Sequence, residues 1–113
     1  MIEQGDLLLL PFPFSDQSGR KVRPVIVISN QQYNDHAEDV VVVGVTSNIS
    51  KDRYTISLSN NNLREGKFIV PCCAKAENIL KVDKELIIKK IGKVKAETLV
   101  RIIGIIVEII KLD

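Results

Sequence analysis

The chain has 113 residues, of which 45% are hydrophobic and 27% are charged, a balance that is typical of a folded globular protein and excludes a disordered one. This length predicts a single domain, spanning residues 1–113, with one modest core. A formal net charge of +2 is too small for a protein that coats duplex nucleic acid, although a phosphate-binding groove needs only local charge.

The first predicted strand, residues 5–10, leads into a proline-containing segment at residues 11–14. Because proline cannot donate to a sheet ladder, this segment is predicted to be an edge or a loop that projects aromatic rings. Phe12 and Phe14 share a face if the segment is extended, so they either stack bases or seal the end of a barrel. A polar turn at residues 15–19 follows.

The second predicted strand, residues 22–29, is so apolar that it predicts burial on both faces of a sheet. Three cations, Arg20, Lys21 and Arg23, stand at its start. A guanidinium binds phosphate through two parallel hydrogen bonds and stabilises charge that develops on phosphoryl oxygens, so Arg23 is a candidate catalytic residue. The alternative is a solvated charge or an ion pair with Asp6.

The third predicted strand begins at Asp39 or Val40, is interrupted only by Gly44 and ends at Thr46. The hydroxyls of Thr46 and the following Ser47 could donate to a phosphate oxygen. The alternative is a strand end that is satisfied by its own turn.

The second half of the chain continues with short strands and then changes to helical spacing. Further strands are predicted at residues 53–59, 68–74, 77–82 and 87–94. Six or seven short strands followed by a helix at residues 96–112 predict a mainly β protein, a small curved β-barrel with a C-terminal α-helix. This helix is apolar around most of its circumference, which predicts the barrel on one side and a second subunit on another, and it is too short to span a membrane.

Lys75 and Glu77 are two residues apart and therefore share a face of a regular strand. Together they could bind a phosphate and a base edge. A salt bridge between the two is the alternative.

The cysteine and histidine content argues against a metal site. Cys72 and Cys73 are adjacent and His36 is the only histidine, so a zinc site has too few ligands and no cofactor is predicted. A ribonuclease that uses two histidines as acid and base is excluded for the same reason. Two reduced thiols and the absence of a signal peptide at the start of the sequence predict a cytoplasmic protein.

Four segments, taken in order, resemble the MazF/PemK family of toxin endoribonucleases, in particular its PemK-like branch. They are Gly5-Asp6 with Pro11-Phe12-Pro13-Phe14-Ser15-Asp16, the arginine-proline strand Lys21-Val22-Arg23-Pro24-Val25-Ile26-Val27-Ile28-Ser29-Asn30, the strand end Val43-Gly44-Val45-Thr46-Ser47, and residues 86–94 before the helix. The resemblance covers nearly the whole chain and implies an SH3-like barrel that forms homodimers.

The resemblance implies the toxin of a type II toxin–antitoxin system, which cleaves single-stranded messenger RNA at specific sequences without a metal. The 2′-hydroxyl attacks the adjacent phosphate and leaves a 2′,3′-cyclic phosphate and a 5′-hydroxyl. Arg23 takes the place of the family's catalytic arginine, Thr46 that of its catalytic threonine, and Ser47 helps to hold substrate. The other predicted substrate-binding residues are Phe12, Phe14, Arg20, Lys21, Lys75 and Glu77. Lys75 and Glu77 stand where the PemK-like branch commonly has an arginine and an aspartate, and lysine cannot make the planar fork of arginine.

The implied partners are single-stranded RNA, a cognate antitoxin and a second copy of the chain. The antitoxin's disordered tail would fold over the RNA groove with acidic and apolar residues, contacting Phe12, Phe14 and residues 15–21. The alternative function is a non-catalytic relative on the same barrel that binds RNA, an antitoxin or DNA gyrase. The gyrase poisons of this fold act through a C-terminal tail with tryptophan, and this chain has none.

Overall fold

The computed structural model describes residues 1–11, 22–49 and 52–113. The strands are β1 (Asp6–Pro11), β2 (Val22–Val27), β3 (Asp39–Thr46), β4 (Thr55–Leu58), β5 (Leu63–Gly66), β6 (Cys72–Asp83) and β7 (Lys89–Val94), and the helices are α1 (Gln31–His36) and α2 (Ala96–Ile110). Short 3-10 helices at Asn60–Asn62 and Lys84–Leu86 connect strands. Four predicted site residues, Phe12, Phe14, Arg20 and Lys21, lie outside the described residues.

The described strands form one antiparallel sheet in the order β4-β6-β3-β2-β1-β7-β5, which curls into a half-barrel. The prediction of a mainly β barrel with a C-terminal helix is confirmed. The central strands β1, β2 and β3 are neighbours because their apolar runs need cover on both faces.

The sheet is buried on both faces. Ile26 of β2 packs with Leu7 and Val43 in a core that α2 covers through Ile102 and Ile106. The alternate residues Val25 and Val27 belong to a second core on the opposite face, together with Leu8, Leu10, Val40 and Val42. The prediction that β2 is buried on both faces is therefore confirmed, although the strand ends at Val27 rather than at residue 29.

Strand β6 corrects the predicted strand pattern. The two strands predicted at residues 68–74 and 77–82 are one strand, Cys72–Asp83, and residues 67–71 precede it without regular structure. Strand β5 was not predicted, because three of its four residues are exposed and give no alternating apolar pattern.

Helix α2 packs one side on the sheet and leaves another side exposed. Thr98, Ile102 and Ile106 are buried, and Thr98 Oγ1 accepts a hydrogen bond from Asn62 Nδ2 at 3.1 Å. Large apolar side chains also remain exposed, among them Val100, Val107 and Ile110. Within the described residues, no helix is long and apolar enough to cross a membrane.

Candidate active site

Three predicted site residues lie on one face at one end of the sheet. Val25 of β2 pairs with Gly44 of β3, and Gly44 pairs in turn with Lys75 of β6. Paired residues share a face, and so do residues two apart along a strand. Arg23 is two residues from Val25, and Thr46 is two residues from Gly44. Both therefore lie on the same face as Lys75.

Two adjoining cavities at this end of the sheet form what we call the cleft. The described residues that line the first, of about 260 Å³, are Arg23, Pro24, Gly44, Val45, Thr46, Lys75 and Asn78. Those that line the second, of about 320 Å³, are Val22, Arg23, Pro24, Val45, Thr46, Ser47, Val70 and Cys72. The cleft thus brings together Arg23, Thr46, Ser47 and Lys75 from the predicted set.

Two cations, Arg23 and Lys75, line the cleft as described, and neither forms an ion pair with another described residue. Asp6, the alternative partner for Arg23, is paired instead with Lys90 at 3.3 Å and lies near Lys93. Two half-exposed cations without carboxylate partners make the cleft suited to an anion.

The hydroxyl of Thr46 is oriented by its own turn. Its Oγ1 accepts a hydrogen bond from the backbone N–H of Asn48 at 3.0 Å. This contact uses an acceptor lone pair and leaves the hydroxyl hydrogen available as a donor. The turn contact and a role in binding an oxyanion are therefore compatible.

Glu77 is separated from Lys75 by an irregularity in β6. The register with β3 shifts between Val43, which pairs with Ile79, and Gly44, which pairs with Lys75, so residues 76–78 form a bulge. Glu77 is exposed in this bulge and does not line the cleft as described, and no ion pair joins it to Lys75. The expectation that both residues share a regular strand face fails because of the bulge.

Asn78 is a cleft residue that the sequence analysis missed. Its side chain lies directly over Gly44, since a Cβ atom at residue 44 would come within 2.7 Å of Asn78 Nδ2. The available signal was the single glycine within the valine run of β3, because glycine inside a strand often marks a bulge or a close approach.

Cys72 and His36 also have titratable side chains, and neither is placed to act as a nucleophile or a base in the cleft as described. Burial, and to a smaller extent the neighbouring Cys73, raises the pKa of the Cys72 thiol, so Cys72 lines the cleft as a neutral group. His36 is exposed on α1, where its Nδ1 is 2.8 Å from the backbone oxygen of Gln32, and it is not among the residues lining the cleft. The described cleft therefore offers two positive charges and hydrogen-bond donors.

Comparison with solved structures shows that the fold is shared with known proteins. The chain shares its fold with an endoribonuclease in complex with its cognate antitoxin from a mycobacterial species, at 18% identity over 100% of this chain and 98% of that one, with a TM-score of 0.81. The toxin MazF-mt6 of Mycobacterium tuberculosis is similar at 16% identity over 96% of this chain and 98% of that one, with a TM-score of 0.76. A MazE–MazF structure from Deinococcus radiodurans gives 19% identity over 99% and 98%, with a TM-score of 0.79.

The sequence itself carries the family assignment. No curated protein sequence matches the chain. Residues 3–110, however, match the family described as PemK-like, MazF-like toxin of type II toxin-antitoxin system. This match spans nearly the whole chain and confirms the resemblance seen in the four motifs. The chain therefore belongs to the PemK-like, MazF-like family of toxins of type II toxin–antitoxin systems.

Proposed function

We propose that this toxin is a metal-independent endoribonuclease that cleaves single-stranded RNA at specific sequences. The observation that carries the proposal is the cleft in which Arg23 and Thr46 meet without a carboxylate partner for Arg23 among the described residues. The mycobacterial relative of the same fold is an endoribonuclease, which supports the same activity for this chain.

In the proposed reaction the 2′-oxygen of a ribose forms a bond to the adjacent phosphorus, and the bond from phosphorus to the 5′-oxygen breaks. The 2′-hydroxyl loses its proton, the leaving 5′-oxygen gains one, and the products are a 2′,3′-cyclic phosphate and a 5′-hydroxyl. Negative charge grows on the non-bridging oxygens in the transition state. Arg23 stabilises that charge through its guanidinium, and Thr46 donates its hydroxyl hydrogen to one of these oxygens.

Lys75 and Ser47 are proposed to hold the substrate. Lys75 is half-buried in the first cavity and offers a point charge to a neighbouring phosphate, while Ser47 is exposed at the second cavity. Glu77 remains a predicted substrate-binding residue at the bulge, outside the described lining of the cleft.

The test is cleavage of a long single-stranded RNA in EDTA by the wild type and by Arg23→Ala, with the 5′ ends of the fragments mapped. We expect cuts at one short motif with 5′-hydroxyl ends, and a loss of about 100-fold or more in the variant, the usual effect of removing one transition-state donor. Arg101→Ala, which removes an exposed arginine from α2, is the matched control and should cut like the wild type.

A substrate with a single 2′-deoxy nucleotide at the mapped site should resist cleavage, because the proposed nucleophile is absent. Cleavage of this substrate, or full activity of Arg23→Ala, would contradict the mechanism. Intact RNA across diverse substrates, together with retained binding, would instead support the non-catalytic alternative.

We propose a cognate antitoxin as the protein partner. A segment with acidic and apolar residues would place carboxylates near Arg23 and Lys75 and apolar side chains near Val70 and Ile69, which is 96% exposed. Such an antitoxin should block RNA cleavage at one equivalent per cleft, and Ile69→Asp should weaken the block. Equal inhibition of the wild type and Ile69→Asp would place the antitoxin elsewhere.

We also propose a homodimer in which α2 contacts a second copy. Val100, Val107 and Ile110 recur on one side of the helix and are 69%, 52% and 67% exposed. Burying them against a second subunit would remove apolar surface from water. Sedimentation should show a dimer for the wild type and a monomer for Val107→Lys at micromolar concentration; a wild type that stays monomeric would contradict this proposal.

A further inference from the structure

The two cavities of the cleft meet at Arg23 and Thr46 but differ in the side chains that border only one of them. Both are bordered by Arg23, Pro24, Val45 and Thr46. Only the first, here called the polar compartment, is also lined by Gly44, Lys75 and Asn78. Only the second, the apolar compartment, is also lined by Val22, Ser47, Val70 and Cys72. An RNA strand with its scissile phosphate on Arg23 and Thr46 would therefore place one flanking nucleotide in each compartment.

In the polar compartment, the position of the Asn78 amide is set by two backbone features. The bulge at residues 76–78 reverses the alternation of β6, so Asn78 does not follow Lys75 in a regular strand. Gly44 supplies the space, because a Cβ there would lie 2.7 Å from Asn78 Nδ2 and 3.5 Å from its Cγ. The amide therefore lies against Gly44 at the floor of the cleft, although Asn78 as a residue is exposed.

The Asn78 amide has no partner in the part of the chain that the structure describes, where no hydrogen bond involves its side chain. It therefore offers a donor and an acceptor side by side, the pattern that pairs with the edge of a nucleobase. Lys75, its neighbour in the same cavity, offers donors only.

The described residues that border only the apolar compartment have little that could distinguish one base from another. Val22 and Val70 are about half exposed, at 52% and 50%, and present only methyl groups. The Cys72 thiol donates to the backbone oxygen of Val70 at 3.2 Å. Ser47 has a hydroxyl that can rotate to donate or accept, so it suits more than one base.

We infer that the two nucleotides flanking the scissile phosphate are read unequally: Asn78 selects the base in the polar compartment, and the apolar compartment accepts any base. This inference rests on the proposed ribonuclease function. The physical basis is the difference between two kinds of site. A site that hydrogen-bonds one group of a substrate strongly rejects substrates without that group, whereas an apolar wall discriminates only weakly between bases.

The experiment varies the base on each side of the mapped cleavage site in a set of short RNAs and compares kcat/KM for the wild type, Asn78→Ala and Asn78→Asp. For the wild type we expect a preference of about tenfold or more at one flanking position and under about threefold at the other. Asn78→Ala should reduce the strong preference to under about threefold and leave the weak one unchanged. Asn78→Asp, which only accepts, should shift the preference to bases that present a donor.

Asn61→Ala is the matched control, because it removes an exposed asparagine of a 3-10 helix that does not line the cleft as described. It should cut with the preferences of the wild type. A uniform loss for all bases in Asn78→Ala would show that the residue only supports the backbone, and equal selectivity on both sides in the wild type would also overturn the inference.

A wild type that cuts no RNA would refute the proposed function without deciding this inference, so binding is measured as well. The same sequences, made uncleavable by 2′-deoxy substitution, are titrated against the wild type and Asn78→Ala. Base-dependent affinity that is lost in the variant supports the role of Asn78. Equal affinities for all bases in the wild type contradict it, whether or not the protein cleaves.

Discussion

Two charged regions of this molecule lie on the same sheet and differ in whether their charges are paired. At the start of β1, Asp6 is 1% exposed, and its carboxylate is 3.3 Å from Lys90 Nζ. Lys90 also contacts Glu65, and Lys93 pairs with Glu3, so these five residues form what we call the Asp6 cluster. In the cleft, Arg23 and Lys75 have no such partners among the described residues.

The pKa shifts in the Asp6 cluster follow from this pairing. A hydrogen bond and the charge of Lys93 hold the pKa of Glu3 below its ordinary value. Burial by itself would lower the pKa of Lys90, but the Asp6 and Glu65 carboxylates more than offset this and raise it. The charged forms of Glu3 and Lys90 are thus stabilised by neighbours of opposite charge, which is the behaviour of a structural network.

The difference in charge pairing indicates that the Asp6 cluster stabilises the fold and that the cleft serves binding. A buried carboxylate held by lysines and by the backbone N–H of Glu3 fixes the start of β1. Cations left without carboxylates inside a cleft contribute little to folding and remain free for an anionic ligand. Substitutions in the Asp6 cluster should therefore mainly lower the stability of the fold, whereas substitutions in the cleft should mainly lower RNA cleavage and binding.

The largest expected effect is on stability. Asp6→Ala removes the buried acceptor of the Glu3 N–H and one of the two carboxylates that contact Lys90, so we expect a loss of about 2–4 kcal/mol in the free energy of unfolding. Arg23→Ala should change it by less than about 0.5 kcal/mol. Urea unfolding measures both. Asp39→Ala, which breaks the surface pair with Lys81, is the control and should cost no more than about 1 kcal/mol. A large loss in Arg23→Ala would refute the comparison.

The next effect is on cleavage. Thr46→Val removes the hydroxyl at nearly constant volume, so kcat should fall by roughly 10- to 100-fold, less than for Arg23→Ala, because a neutral donor is weaker than a charged one. Thr46→Ser keeps the hydroxyl and should restore most of the activity. If both variants cut equally well, the Thr46 hydroxyl has no part in the reaction.

A smaller effect is expected on the salt dependence of RNA binding. Each phosphate contact on single-stranded nucleic acid contributes about 0.7 to the slope of log K against log salt, so Lys75→Ala should reduce the slope by about that amount. Lys81→Ala, whose lysine is already paired with Asp39 at 3.5 Å, should leave the slope nearly unchanged. Equal slopes for the wild type and Lys75→Ala would show that Lys75 does not contact a phosphate of the bound RNA.

The smallest effect concerns acid pH. Because the folded state lowers the pKa of Glu3 from 4.5, this carboxylate stabilises the fold above that value and loses its contribution as the pH falls through the lowered pKa. Glu3→Gln should lower Tm at neutral pH, and the difference from the wild type should shrink toward zero as the pH falls below 4.5. A Tm difference that is constant across this range would argue against the ion pair with Lys93.

Much of the fold could be predicted because the decisive signals are local. The apolar run of β2 and the valines of β3 require burial on both faces, and the spacing of isoleucines in α2 requires a helix. Arg23 and Thr46 were identified as candidates from motifs that stand at the start of one strand and the end of another. Strand β5 was missed because a short, exposed strand has no periodic pattern.

The arrangement of charges was decided by pairing between distant parts of the chain. The sequence left open whether Arg23 would form an ion pair with Asp6. In the structure, the register between β1 and β7 places Asp6 next to Lys90 and Lys93 instead. The bulge in β6 likewise separates Glu77 from Lys75 and lays Asn78 over Gly44. Local patterns specify which segments are strands, whereas side-chain neighbours across a sheet depend on register, and an odd insertion reverses every face beyond it.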